Sequence, residues 1–478
     1  MKKIILFGAG GNGKKALKKY GIEKIAYFCD NDVEKQGEYI DGVKVISFSD
    51  MKKFYQQGYQ IVITPNNYWI QVGQLEMEGI FEYSIFRPSL ESKDLNTIIK
   101  IENDCSEHNA ILDEYVRESS KFDLLEDVTE LKRIASIALE KNKKEDFPLV
   151  HFGLYDEGHF YGNLQNLMKY AGIQDDYDVV YAPFVSHSDC FPMYKDAFSP
   201  KTACVFSGDY YKQKVHMRNS YIPVFTVGPY IHYAKGIYDE ETVKLKREKN
   251  GKTLLVYLPH TIEGIGRGYS REKFVDDVYG KYSNSFDTLL LCVYWADIND
   301  EVCDYARKKG FRIVSNGFRF DQNFNKRQRS LMEISDALVC GDIGTHIGFA
   351  LYMGLPVSRV GISDDSTIGD SEFPGNIEKT LQFGKEYQHY KSEFYNIFDE
   401  EFRMDYKHKS WIDMLQGFNH VRDASYIKNM FEICRDIWIE CDGKFKYYPE
   451  AVMKTLRKYE YDEIEKHIIL QTSLMAKI

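Results

Sequence analysis

The sequence predicts an α/β chain in which a small N-terminal unit is followed by two larger α/β units in series and a helical C-terminal region. Three observations predict it. Strand-length apolar runs alternate with helical stretches over residues 1–88 and again from 147 to 375, the pattern of parallel sheets built from strand–helix–strand units. A Gly-rich turn, GAGGNG, joins the first strand to the first helix. Beyond residue 375 the strand-like runs stop and helical spacing of apolar residues takes over. A chain of 478 residues also exceeds what one hydrophobic core supports.

Within residues 1–88, KKIILFG reads as a strand, GAGGNG as the turn, KKALKKYG as a short helix and KIAYFCDND as a second strand ending in acids. VKVI and YQIVITP continue the sheet, with QVGQLEMEG helical before FEYSIFRP. Residues 89–146 are polar and helical. Apolar positions recur at helical spacing among charges in LLEDVTELKRIASIAL, which reads as a connector with a solvated face. At Asp146-Phe147-Pro148 the composition changes. Residues 147–245 form the next α/β unit, with LVHFGLYDEGHFYGNLQNLMKYAG as strand, loop and helix, and DVVYAPF, TACVFSG and IPVFTVGPYIHYAKG as strands. Residues 239–252, DEETVKLKREKNGK, are charged and poor in apolar side chains and read as a hinge or linker. The pattern restarts over 246–375, where KTLLVYLPH, FDTLLLCVYW, FRIVSNG and DALVCG are strands separated by the helical EKFVDDVYGKY, DEVCDYARKKG and KRQRSLMEIS. GTHIGFALYMGLPV adds a turn, a helix and a last strand, and residues 376–478 are helical.

Bulk composition excludes several classes. The net charge of −10 gives no footprint for nucleic-acid binding. No apolar run approaches the ~18 residues of a membrane span, and the apolar start is too short for a signal peptide before it turns into the Gly-rich motif. Nine Cys without a CxxC pair read as reduced thiols of a cytoplasmic protein, with no structural zinc and no other metal site expected.

In open parallel sheets, ligands sit beyond the carboxyl ends of the strands. In the first unit Gly8, Gly10 and Gly13 lie between strand and helix and Asp30 ends the next strand, the context a dinucleotide fingerprint requires. The glycines permit close approach of a pyrophosphate and Asp30 can take ribose hydroxyls, so the turn would accept a nucleotide or an NAD(P)-like ligand. Over 246–375, four strand ends are enriched together: Pro259, His260, Thr261, Glu263 and Arg267; Asp297; Asn316, Gly317, Arg319 and Asp321; and Gly341, Asp342, Gly344, Thr345 and His346. This convergence suggests a polar ligand with anionic groups, because the helix after Gly344 offers unpaired N–H groups and the positive end of its dipole. The plainer alternatives are a strand-to-helix turn capped by Thr345, and Asp321 as the cap of the helix after it. In 147–245 two clusters follow strands: Asp156, Glu157, Gly158 and His159 with His151 upstream, and His187, Ser188 and Asp189. Either could supply a general base, or serve only as a turn and cap.

FGAGGNGKKAL, YFCDND and IDGVKVISF resemble the small Rossmann-like domain that heads many bacterial surface-polysaccharide enzymes, sugar acyltransferases and methyltransferases among them, where it is often an accessory nucleotide-binding module. The two α/β units, joined by a linker and followed by helices, resemble the GT-B glycosyltransferase architecture. Residues 252–360 are similar to capsule and surface-carbohydrate proteins, and the GTHIG-to-GLPV segment is similar to the donor end of such transferases and of non-hydrolysing sugar 2-epimerases. The resemblance implies an α/β fold with a small N-terminal Rossmann-like domain, two facing Rossmann-like domains and C-terminal helices.

It also implies a metal-independent glycosyltransferase of bacterial surface-polysaccharide biosynthesis (capsule or lipopolysaccharide). Its partners would be a nucleotide-sugar donor on the 246–375 side and a saccharide or lipid-linked saccharide acceptor on the 147–245 side. Peripheral contact with the inner face of the membrane and a homo-oligomer are compatible with it. Glu263, Arg267, Asn316, Arg319, Asp342, Gly344, Thr345 and His346 would then contact the donor, and Asp156, Glu157, His159, His187 and His260 are the candidates for the acid–base step. Where the Glu-x7-Glu of many retaining transferases would sit, this sequence has Asp342, Thr345 and His346 instead. The alternatives are a nucleotide-sugar epimerase or hydrolase on the same fold, a non-catalytic nucleotide-sensing scaffold that works through GAGGNG, and an NAD-dependent oxidoreductase, which rests on the glycine motif alone.

Overall fold

Three β-sheets, each with its carboxyl strand ends leading into loops, organise the described residues. The computed structural model describes residues 3–65, parts of 71–86, 114–143 apart from 123–125, 157–173, 181–187, 202–218, 222–259, 270–298, 301–319, 321–361, 385–440 and 449–459. The first sheet comes from β1 (Ile4–Phe7), β2 (Ile25–Cys29), β3 (Tyr39–Ile40), β4 (Val43–Ile46), β5 (Gln60–Ile63) and β6 (Tyr83–Ile85), with α1 (Gly11–Tyr20) and α2 (Phe48–Gln56) between strands. Its order is β3-β4-β2-β1-β5-β6, parallel except for the β3–β4 pair. β1 reads IILF and is buried throughout, as a strand covered on both faces must be.

A helical stretch at 114–119 and α3 (Val128–Lys143) follow. Their apolar stripe is not solvated: Tyr115, Leu131, Ile134 and Ala135 are buried in one core with Leu254, Val256, Leu291 and Val339. The connector is therefore a layer of the third sheet, because a helix with a continuous apolar stripe gains more by covering a sheet face than by standing in water.

The second sheet is the parallel set β7 (Phe184–Val185), β8 (Cys204–Phe206) and β9 (Val224–Thr226). A 3₁₀ segment, Glu157–Gly162, leads into α4 (Asn163–Tyr170), and α5 (Asp209–Arg218) connects β8 to β9. The expected strand at the start of residues 147–245 lies outside the described residues. The expected linker at 239–252 is instead α6 (Glu240–Asn250), capped by the Asp239 carboxylate, which accepts from the Thr242 N–H at 2.8 Å, and ended by Gly251 with φ 65°. Acids in its first turn and cations in its last complement the helix dipole.

The third sheet is formed by β10 (Thr253–Tyr257), β11 (Thr288–Cys292), β12 (Arg312–Val314), β13 (Ala337–Cys340) and β14 (Val357–Arg359), all parallel, in the order β12-β11-β10-β13-β14. Its helices are α7 (Arg271–Tyr282), α8 (Glu301–Lys308), α9 (Phe324–Glu333) and α10 (Thr345–Met353). The C-terminal helices are α11 (Lys385–Ile397), α12 (Tyr406–Gln416), α13 (Ala424–Glu440) and α14 (Pro449–Lys458). The chain is thus α/β with the small N-terminal unit, two further parallel sheets and C-terminal helices that the sequence predicts, and among the described residues no sheet runs continuously from the second unit into the third.

Strand alternation assigns each face to a core. One face of the first sheet (Leu6, Val45, Val62) packs with Ala16 and Leu17 of α1, and the other (Ile5, Phe7, Ile63) joins Phe206, Tyr211 and Val224 of the second unit. The opposite face of the second sheet (Val185, Val205, Phe225) shares a core with Leu255, Leu290 and Leu338 of the third. The C-terminal helices close both shared cores: Leu415 belongs to the first of them, and Ile427, Phe431 and Ile437 to the second.

Candidate functional site

Where strand order reverses, adjacent loops diverge and leave a crevice. The first sheet reverses at β1, with β2 on one side and β5, reached only after β3 and β4, on the other. Phe7 and Gly8 after β1, Asp30 and Asn31 after β2, and Thr64 and Pro65 after β5 line a cleft of about 420 Å³ together with Gly10, Gly11, Asn12, Gly13, Lys35 and Gln71. Gly8 adopts φ 118°, and a Cβ there would lie 2.6 Å from Pro65. The Gly8 carbonyl accepts from the Thr64 hydroxyl at 2.7 Å, which ties the loop to β5. A Cβ on Gly13 would lie 2.2 Å from the Gly8 oxygen, whereas one on Gly10 or Gly11 would meet nothing within 4 Å. Gly13 therefore lets the helix approach the strand, and Gly10 and Gly11 face open space above the N-terminus of α1, which has no side-chain cap. Asp30 accepts from the Ala9 N–H at 2.7 Å and the Asp32 N–H at 3.0 Å. Its carboxylate shapes the loop as well as facing the cleft, with Lys35 3.6 Å away as counter-charge.

The third sheet reverses between β10 and β13, and the turn Gly341–His346 stands at that point. Gly344 is the N-cap of α10, with no side-chain cap bond, so the expected cap at Thr345 is not formed; Thr345 is the first residue of the helix. The His346 ring folds back over Gly344, where a Cβ would lie 2.4 Å from it, and stacks on Tyr257 at the end of β10 with centroids 4.3 Å apart and planes 6° apart. The Tyr257 hydroxyl accepts from Gln328 Nε2 at 3.1 Å and Asn316 Nδ2 at 3.4 Å. Burial pushes it well above the ordinary phenol range, so it stays protonated. Asn316 Oδ1 is buried without a hydrogen-bond partner. Asp342 accepts from the Ile343 N–H at 2.8 Å and holds the turn. Tyr257, Asn316, Gln328 and His346 are thus one continuous contact system.

Other strand-end residues serve structure. Asp321 is paired with Arg327 at 2.5 Å, both side chains buried, and its other carboxylate oxygen accepts at 2.8 Å from the N–H of Asn323, the N-cap of α9. Asp297 is buried 3.3 Å from Arg271. Arg319 and His187, at the ends of β12 and β7, meet across the second and third sheets through Phe160: its ring is 4.4 Å from the His187 ring and 5.5 Å from the Arg319 guanidinium. His151, Asp156, Ser188, Asp189, His260, Thr261, Glu263 and Arg267 lie outside the described residues, as do the side chains of Glu157 and His159. Sequence reasoning missed Tyr257, Gln328, Phe160 and Tyr161. For Tyr257 a signal existed, since strand alternation puts it last on the Leu255 face of β10; for the others none did. Among the described residues no three His, Cys, Asp or Glu are grouped to hold a metal ion, and no helix is long and apolar enough to cross a membrane.

No family model and no curated protein matches the chain. Among solved structures, the wall teichoic acid polymerase TagF is similar at 10% identity and TM-score 0.27, over 91% of this chain and 88% of its own. The α,α-trehalose 6-phosphate synthase from Burkholderia multivorans is similar at 10% identity and TM-score 0.27, over 92% and 100%. The UDP-GlcNAc 2-epimerase from Neisseria meningitidis, solved with UDP-GlcNAc, is similar at 12% identity and TM-score 0.29, over 92% and 100%. Similarity at this level bears on neither substrate nor activity.

Proposed function

We propose that the chain is a glycosyltransferase of bacterial surface-polysaccharide synthesis that binds a nucleotide-activated sugar at the turn between β13 and α10. The observation that carries this reading is the His346–Tyr257 stack over the uncapped start of α10, at the crossover point of the third sheet. Sugar transfer builds negative charge on the departing nucleotide phosphate. Donors already fixed in place stabilise that charge more in the transition state than in the ground state. The amides of Gly344 and Thr345, the Thr345 hydroxyl and the His346 ring are such donors, and Tyr257 holds the imidazole in place. A base on the side of residues 147–245 would take the acceptor proton; His187 is the described candidate.

The test measures donor affinity and melting temperature together, across UDP-, GDP-, CDP- and CMP-linked sugars. A donor at a hundred times its dissociation constant should stabilise the chain by ~2.7 kcal/mol. Thr345→Ala and His346→Ala should each weaken donor binding about tenfold to a hundredfold, the loss of one hydrogen bond to a charged group, while melting stays near wild type. His346→Phe keeps the stack and should keep stability but not affinity. Lower melting with unchanged affinity would make these residues structural.

A second reading is favoured by the open space over Gly10 and Gly11: the N-terminal cleft takes a nucleotide, as a sensing or accessory module.

A further inference from the structure

We propose that the lysine face of α1 is a docking surface for a membrane bearing anionic lipid headgroups, with the exposed Ile22 beside it as a shallow apolar anchor. No lysine of this face lines the N-terminal cleft, and its role does not depend on what the third sheet binds.

The first 29 residues carry seven Lys and one acid, Glu23, in a chain whose net charge is −10. That stretch is +6 and the rest of the chain therefore −16. α1 buries Gly13, Ala16 and Leu17 against the sheet. Lys14, Lys15, Lys18 and Lys19 fill the exposed positions between them, an arc of about 140° around the helix. After α1 the Gly21 carbonyl accepts from the Lys24 N–H at 3.1 Å, and the Lys24 carbonyl accepts from the Ile4 N–H at 3.0 Å. The basic face thus continues to Lys24 and Lys3, neighbours on adjacent chains of the sheet and both exposed at its amino edge. Ile22, 56% exposed, stands in the same turn. The N-terminal cleft opens at the opposite, carboxyl edge, so docking on this face leaves it accessible.

No residue of α1 balances these charges. Lys14 with Lys18, and Lys15 with Lys19, are like pairs at i,i+4, which destabilise a helix, and α1 contains no acid. Lys18 and Lys19 complement the dipole in the last turn, but Lys14 and Lys15 lie toward its positive end and gain nothing from it. In α7, by contrast, Asp277 follows Lys273 by four residues and pairs with it at 2.6 Å. Among the described residues Lys3, Lys14, Lys15, Lys18 and Lys24 make no ion pair. An anionic surface outside the chain relieves that repulsion. Lysine is a compact charge on a flexible stem and suits a diffuse field of headgroups, whereas a defined phosphate favours the rigid fork of Arg. Residues 1–86 contain no Arg. A basic helix face with an apolar side chain at its rim is the pairing that interfacial helices use. The negative remainder of the chain turns the molecule so that this face meets the surface.

The full-length protein is mixed with vesicles of phosphatidylcholine alone, or of phosphatidylcholine and phosphatidylglycerol in equal parts, and the bound fraction is read by sedimentation at increasing salt. Wild type should bind only the anionic vesicles, and less as salt rises. Lys15→Gln should weaken binding about fivefold, the worth of one cation near an anionic surface, and Lys14→Glu with Lys15→Glu should abolish it. Both variants should melt no lower than wild type, because they remove like pairs or turn them into Glu–Lys pairs at i,i+4, so lost binding is not lost folding. Ile22→Ser should weaken binding severalfold with an unchanged salt slope. Lys244→Gln, which alters an exposed cation of α6, should bind as wild type does. Equal binding to both vesicle types, no binding to either, or Lys244→Gln as damaging as Lys15→Gln overturns the surface. Soluble polyphosphate bound as tightly as the anionic vesicles, or a salt-sensitive dimer that forms without lipid and is lost in the Glu variant, overturns the lipid as its occupant.

Discussion

At Gly13 a hydrogen faces the Gly8 carbonyl oxygen, a backbone atom that cannot step aside. Gly13→Ala would place a Cβ 2.2 Å from it and should cost the fold ~1–3 kcal/mol, the range for overpacking a close contact. Gly10→Val adds its side chain to empty space, so it should leave folding nearly intact and block the cleft. Urea unfolding and nucleotide titration of the full chain separate the two. If Gly10→Val binds nucleotides as well as wild type does, the cleft is not their site. The roles of these glycines were legible because backbone geometry permits few substitutes at such a turn. Phe160 was not: among 30 Phe, nothing in the chain marks which ring a distant strand end will meet. Half of what Asp321 does, its bond to the Asn323 N–H at the start of α9, is local, whereas its partner Arg327 declares itself only once α9 is folded.

The helix α6 shows how an element can be hidden in plain notation. DEETVKLKREKNG reads as a hinge or linker because it lacks an apolar stripe, yet it carries a cap at Asp239, acids in the first turn, cations in the last and a terminal glycine. Those signals act on backbone groups and the helix dipole and need no core. Exposed helices are held largely by such local terms, so Asp239→Ala should cost ~1 kcal/mol, read as a lower urea midpoint with an unchanged slope; an unchanged midpoint would show that tertiary contacts hold α6. Asp239→Asn should keep most of that stability. The strands of the third sheet, by contrast, were legible almost residue for residue, because burial on both faces demands continuous apolar runs. Their mutual order was not, since parallel pairing leaves no mark in local sequence.

Across the whole molecule, the connector is tied to the third unit by a buried ion pair: Arg327 bonds Asp321 at 2.5 Å and the Ser119 carbonyl at 3.1 Å, while the Tyr115 hydroxyl accepts from the Phe318 N–H at 2.6 Å. Arg327→Met leaves the Asp321 carboxylate buried and uncompensated and should cost ~3–5 kcal/mol, whereas Arg327→Met with Asp321→Leu should recover much of it. Thermal unfolding checks this; a double variant no better than the single would mean that the pair is required as such. The sequence announced separate α/β units but not that they share cores, because apolar runs look alike whether they face their own helices or a neighbour's. One consequence concerns the order in which the chain is made. Leu415 and Tyr390 complete the core that begins with Ile5 and Phe7 and continues through Phe206, Tyr211 and Val224, so the strands that leave the ribosome first have this face only partly covered until α12 has emerged. The nascent chain then carries an incompletely closed apolar core until late in its synthesis, the condition under which partly folded chains aggregate or engage chaperones. A chain cut short at residue 400 retains every described strand and lacks Leu415, so it holds the sheets but not the closure of the core between the first two.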